Sequence, residues 1–232
     1  MRVPSCKFLL PGAFCLLLGG CAGSELAAWN PYYRSEWKKD EEHGPTFHAQ
    51  LAELRAIRKN PDGMPPNEQA NITQLLTNIV EDSPNAILRA EAALTLAALP
   101  TAEAIPALRS AAADEDPEVR IAACRAFGRR GGSDALDALT TAVRNDTDLD
   151  VRIAAAGELK RFSDQQSVQA LAVALNDKDP ALQHQAVQSL KKATGQNYGD
   201  SVPAWRDFVE GRTPTAPESP SIAERLLRFR LF

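Results

Sequence analysis

Side chains that carry covalent or metal chemistry are scarce in this 232-residue sequence, which holds four cysteines and three histidines. So little thiol and imidazole leaves poor material for a metal centre or a cysteine nucleophile. Aromatic residues make up 6% of the chain. Its 13 glycines and 16 prolines are too few and too scattered for a collagen-like or low-complexity protein. No glycine-rich phosphate loop, G-x-S-x-G elbow, H-E-x-x-H or C-x-x-C pair occurs. Cations are not in excess either: 26 Lys and Arg face 30 Asp and Glu, for a net charge of −4. That balance argues against generic nucleic-acid binding, which rests on phosphate neutralisation. What the chain does have is a 44% hydrophobic fraction carried by Ala and Leu rather than by Val, Ile or Tyr, a composition that favours helix over sheet.

The first twenty residues form a leader. Arg2 and Lys7 give a positive n-region, Phe8 to Gly20 form an apolar stretch, and small residues precede Cys21. The stretch is too short to span a bilayer, which takes ~20 apolar residues, and it contains Pro11. Leu18-Gly19-Gly20-Cys21 resembles the lipobox of bacterial lipoproteins. That resemblance implies cleavage after Gly20 and lipid on Cys21, with Ala22 compatible with passage to the outer membrane rather than retention at the inner one. Loss of Arg2 and Lys7 with the leader moves the mature chain two charges further negative. Cys6 and Cys15 would leave as well, so Cys124 remains as the one free thiol, inside an apolar helical pattern that marks it as a core residue.

Residues 21–45 read as lipid anchor and tether. Trp29, Tyr32, Tyr33 and Trp37 lie there within nine residues, whereas a plain tether would be rich in Gly and Ser. The stretch either docks on the folded domain or sits at a membrane interface. Docking is favoured because Arg34, Lys38, Lys39 and the neighbouring acids leave no amphipathic membrane face. From Thr46 the period becomes helical through Phe47, Leu51, Leu54 and Ile57, and Asn60-Pro61-Asp62-Gly63 stops that helix.

Four internal segments then superimpose: SPNAILRAEAALTLAAL, DPEVRIAACRAFGRRG, LDVRIAAAGELKRF and DPALQHQAVQSLKKATG. They share an apolar column (Leu88, Val119, Val151, Leu182) and a polar one (Arg89, Arg120, Arg152, Gln183). A small column (Ala92, Ala123, Ala155, Ala186) and a large apolar column (Leu96, Phe127, Leu159, Leu190) complete the pattern. The polar positions are 31, 32 and 31 residues apart, and the first segment carries an extra residue before its Arg. Each segment follows another amphipathic helix, marked by Leu75/Leu76/Ile79, Ile105/Leu108, Leu136/Leu139/Val143 and Val168/Leu171/Leu175. A pair of about thirty residues cannot bury its apolar faces alone, so such pairs must stack.

Asp116-Pro117-Glu118-Val119-Arg120, followed by Ala123, resembles the signature of HEAT repeats, in particular the short type found in phycobilisome-lyase proteins. The resemblance implies an all-α protein: a right-handed α-solenoid of about four helix pairs with flanking cap helices. The expected division is a signal peptide over 1–20, the anchor and tether over 21–45, and a repeat domain over 46–211. Its repeats fall near 66–99, 101–130, 133–162 and 165–195, with a cap over 196–211 in which Trp205 and Phe208 cover the last apolar layer. A Pro-rich linker at 212–221 leads to an amphipathic tail at 222–232, where Arg225, Arg228 and Arg230 alternate with Leu and Phe.

The acidic clusters Asp114-Glu115-Asp116, Asp146/Asp148/Asp150 and Asp177/Asp179 recur before each second helix. That position marks them as N-caps, dipole partners and mates for the Arg column of an adjacent repeat rather than as a calcium site. His43, His48 and His184 form no ligand set. Arg129-Arg130, Lys160-Arg161 and Lys191-Lys192 end successive second helices, and stacking would align them into a basic ridge. Cations favour helix C-termini in any case, by about 0.3–1 kcal/mol each, so the ridge serves either helix dipoles or a partner. The expected function is a lipid-anchored, non-catalytic scaffold for an unidentified protein of the cell envelope, bound to a membrane through its lipid, with no nucleic acid, metal or cofactor. A HEAT-like lyase or chaperone-type enzyme acting on a protein substrate, and a binder of an anionic envelope polymer, are the alternatives.

Overall fold

A computed structural model describes residues 44–214. Cys21, the aromatic stretch around Trp29 and the tail at 222–232 lie outside the described residues. The chain divides into two compact units, residues 1–49 and 50–232. The first contributes here only the opening turn of α1 (Phe47–Lys59), where Thr46 Oγ1 accepts the Ala49 amide at 3.3 Å.

Among the described residues the only regular structure is helical. After α1 and a single 3-10 turn at Pro61–Gly63 come α2 (Pro66–Asp82) and α3 (Ala86–Leu96). Then follow α4 (Ala104–Ala112), α5 (Pro117–Arg130), α6 (Gly132–Asn145) and α7 (Leu149–Leu159). The last are α8 (Gln165–Leu175), α9 (Pro180–Thr194) and α10 (Val202–Val209). Helices α3, α5, α7 and α9 pack on one another in sequence, and α2, α4, α6, α8 and α10 form a parallel row beside them. This is the two-layered stack of an α-solenoid.

Sequence explains the stack directly. Proline opens α2, α5 and α9 at a position where its missing N–H costs nothing. Asn85, Asp116, Asp148 and Asp179 cap the second helices, each accepting from amides two or three residues on at 2.8–3.4 Å. Gly131, at φ 70°, lets α5 reverse into α6 with no intervening loop. The small column Ala92, Ala123, Ala155 and Ala186 is fully buried, and Leu96, Phe127, Leu159 and Leu190 fill the layer between rows. One continuous core runs from Leu54 to Trp205.

Two expectations need correction. Counted from its cap, the first segment has no extra residue: Asn85 to Arg89 is four positions, as is Asp116 to Arg120. Pro84 precedes that cap, whereas Pro117 follows its own. Leu75 is 56% exposed, because Leu76 beside it takes the core position, and helical neighbours point ~100° apart. At the other end Trp205 is fully buried and stands edge-on to Tyr198 and Phe208, closing the last layer, while its Nε1 donates to Gly199 O at 3.0 Å.

Candidate interaction surface

The acidic clusters are spoken for. Arg89 Nε and Nη2 donate to Asp114 Oδ2 and Oδ1, both at 2.8 Å, so the first repeat grips the second by a two-pronged bond. Arg120 repeats the grip on Asp146 at 2.9 and 3.0 Å. Arg152 reaches Asp177 more loosely, at 3.5 Å. Each acid also accepts the amide of the capping residue two positions on, at 2.9 Å. Arg89 Nη1 and Arg120 Nη1 tie back to carbonyls of their own loops, Ser83 at 2.9 Å and Asp114 at 2.9 Å. Gln183 has no following repeat to grip and donates to Asp177 O at 2.6 Å.

The electrostatics follow from this geometry. Burial by itself would push the Asp114 carboxyl up. The hydrogen bond from Arg89, aided by the Asp116 amide and by Arg120, outweighs it and holds the group below the ordinary carboxylate range. Arg89 and Arg120 are raised, chiefly by their hydrogen bonds to Asp114 and Asp146. Among the described residues no group of three His, Cys, Asp or Glu could hold a metal ion. Cys124 is buried, and desolvation pushes its thiol up to about 12, so it packs rather than reacts.

The six expected ridge cations divide. Arg129, Arg161 and Lys192 are exposed and occupy equivalent positions on α5, the end of α7 and α9. Arg161 shares its charge with Glu158, 2.7 Å away in the last turn of α7. Lys160 and Lys191 form a second, half-buried register whose counterpart on α5 is Gly128. Lys191 pairs with Asp200 at 2.6 Å, and that lysine, with Gln188, lowers the Asp200 carboxyl. Arg130 is turned inward: it donates to Leu99 O at 2.7 Å and Thr101 O at 2.8 Å, clamping the loop that leaves α3. Desolvation lowers its pKa.

Arg125, exposed one turn before Arg129, belongs to the same face and was not anticipated. A helical i, i+4 search backward from Arg129 would have found it. The buried Glu91, met by Arg58 at 2.8 Å and Arg55 at 3.6 Å, was also missed, because acids inside an Ala-rich run carry no periodic mark.

The family model for HEAT repeats matches residues 73–160 and again 142–208, together more than half of the chain. No curated protein matches it.

Proposed function

The chain belongs to the HEAT-repeat family, and on that premise we propose that it is a lipid-anchored, non-catalytic scaffold that holds a protein partner in the bacterial cell envelope. The repeat stack carries this reading. Four helix pairs set side chains of successive repeats at matching positions, and such rows serve binding rather than bond-making. The partner surface is the exposed face formed by Arg125, Arg129, Arg161 and Lys192, with Lys160 at its margin. Charge of one sign along a row selects an acidic partner surface and speeds its encounter.

The anchor rests on sequence: a positive leader, an apolar stretch and Leu18-Gly19-Gly20-Cys21 ahead of a chain whose described helices include none long and apolar enough to cross a membrane. Lipid at Cys21 would place the stack at a membrane surface, the outer membrane by the character of Ala22. Crosslinking in native membranes followed by affinity purification tests the scaffold reading, with a stoichiometric protein partner as the expected result. Recovery of nothing above background, or transfer of a chromophore by the purified protein, would overturn it. Mass spectrometry of the mature chain tests the anchor. Acylated Cys21 at the N-terminus is expected, and Cys21→Ser should leave the leader uncleaved.

A further inference from the structure

On the row opposite the cation face, α4 and α6 are separated by an open groove of about 490 Å³. Alanine lines both walls: Ala112 and Ala113 at the end of α4, Ala138 and Ala142 on α6. One repeat further along, the equivalent positions carry the longer residues Arg144, Asn145, Gln169 and Val173, all of them exposed. Asp134 and Asp137 stand at the rim. Asp134 is paired with Arg109 at 2.5 Å and Asp137 accepts from Gln166 at 2.7 Å, yet both remain exposed or nearly so, and Arg109 is the only cation in the lining. The third acid there, Asp146, is already gripped by Arg120. The groove thus offers an apolar floor beside Asp137, the one lining acid that has no cation partner among the described residues.

We propose that this groove is the docking site for residues 222–232 of the same chain. The sequence there supplies what the groove lacks: Leu226, Leu227 and Phe229 for the floor, and Arg225, Arg228 and Arg230 for the rim, against the single acid Glu224. Reach permits it. From α10 the groove lies two and a half helix spacings along the row, about 20–25 Å at the usual 8–10 Å per packed pair. The seven residues 215–221 between the described chain and the tail span up to ~25 Å. A tether of seven residues meets that span only when nearly fully extended, so the contact must draw on the tail's own apolar and cationic side chains rather than on a high effective concentration.

A photoreactive benzophenone amino acid in place of Phe229, in the full-length protein, tests this. Irradiation should give crosslinks that mass spectrometry places on α4 and α6 of the same chain. Filling the floor with Ala138→Trp should cut their yield at least tenfold. The rim variant Asp137→Lys, at an exposed site, should cut it several-fold and remove its salt dependence, while loss of the exposed Gln166 hydrogen bond lowers the melting temperature by no more than a few degrees. Crosslinks to lipid, to a second chain or scattered over the surface would overturn the proposal, as would a yield indifferent to both variants. None of these outcomes bears on the anchor or on the partner face.

Discussion

Neighbouring residues in this molecule do opposite jobs, and single substitutions should separate them. Arg129 points to solvent, whereas Arg130, the next residue, spends its guanidinium on the carbonyls after α3. Arg130→Gln removes charged donors from half-buried carbonyls and should cost about 1–3 kcal/mol. Arg129→Gln should cost under about 0.5 kcal/mol. Urea titration of the two variants checks the difference. No sequence pattern distinguishes these two arginines: both follow the dipole rule for helix ends, and only the path of the 97–101 loop decides which one turns inward. The alanine column was legible because its positions recur at every repeat. Ala155 is fully buried, so Ala155→Asp places an unpaired carboxylate between packed helices and should cost more than ~3 kcal/mol, enough for loss of the cooperative thermal transition. A variant that melts like the parent would mean the register is wrong.

At the scale of helices, the Arg–Asp grips couple each repeat to the next with unequal strength. The Arg120–Asp146 pair is two-pronged and 14% and 10% exposed, while Arg152–Asp177 is 3.5 Å apart and about a quarter exposed on each side. Arg120→Met leaves a nearly buried carboxylate without its partner and should destabilise by about 3 kcal/mol. Arg152→Met should cost about 1 kcal/mol. Differential scanning calorimetry of both variants would rank them. Asp114 gives the first junction, where Arg89 grips it, an acid limit. Its folded pKa lies below that of the unfolded chain, so its contribution is complete above the unfolded value, near pH 4, and fades as pH falls through the folded value. Arg89→Met should flatten the acid side of the stability–pH curve. The sequence foretold that these acids would meet the Arg column, because both repeat with the same spacing. It did not foretell the groove between α4 and α6, which alanines wall where the next repeat carries Arg144, Asn145, Gln169 and Val173.

For the whole molecule the question is whether stacking merely holds the fold together or also presents a surface. Internal partners already claim part of the basic set: Arg130 takes backbone carbonyls and Lys191 takes Asp200. Replacing all six helix-end cations would therefore mix a folding defect with any binding defect. The informative variant changes only Arg129, Arg161 and Lys192 to Gln. These are exposed, and among the described residues only Arg161 of the three has an ion-pair partner, so stability should fall by no more than about 1 kcal/mol. If the three serve helix dipoles alone, retention of the native partner across a salt series will match that of the parent. If they form the recognition face, retention should weaken at low salt and become nearly independent of ionic strength, since exposed charges act over a Debye length of about 8 Å at physiological salt. The partner-face reading expects the second pattern. Superimposable curves with an intact fold would remove these side chains from the account of binding and leave the scaffold reading to find another face.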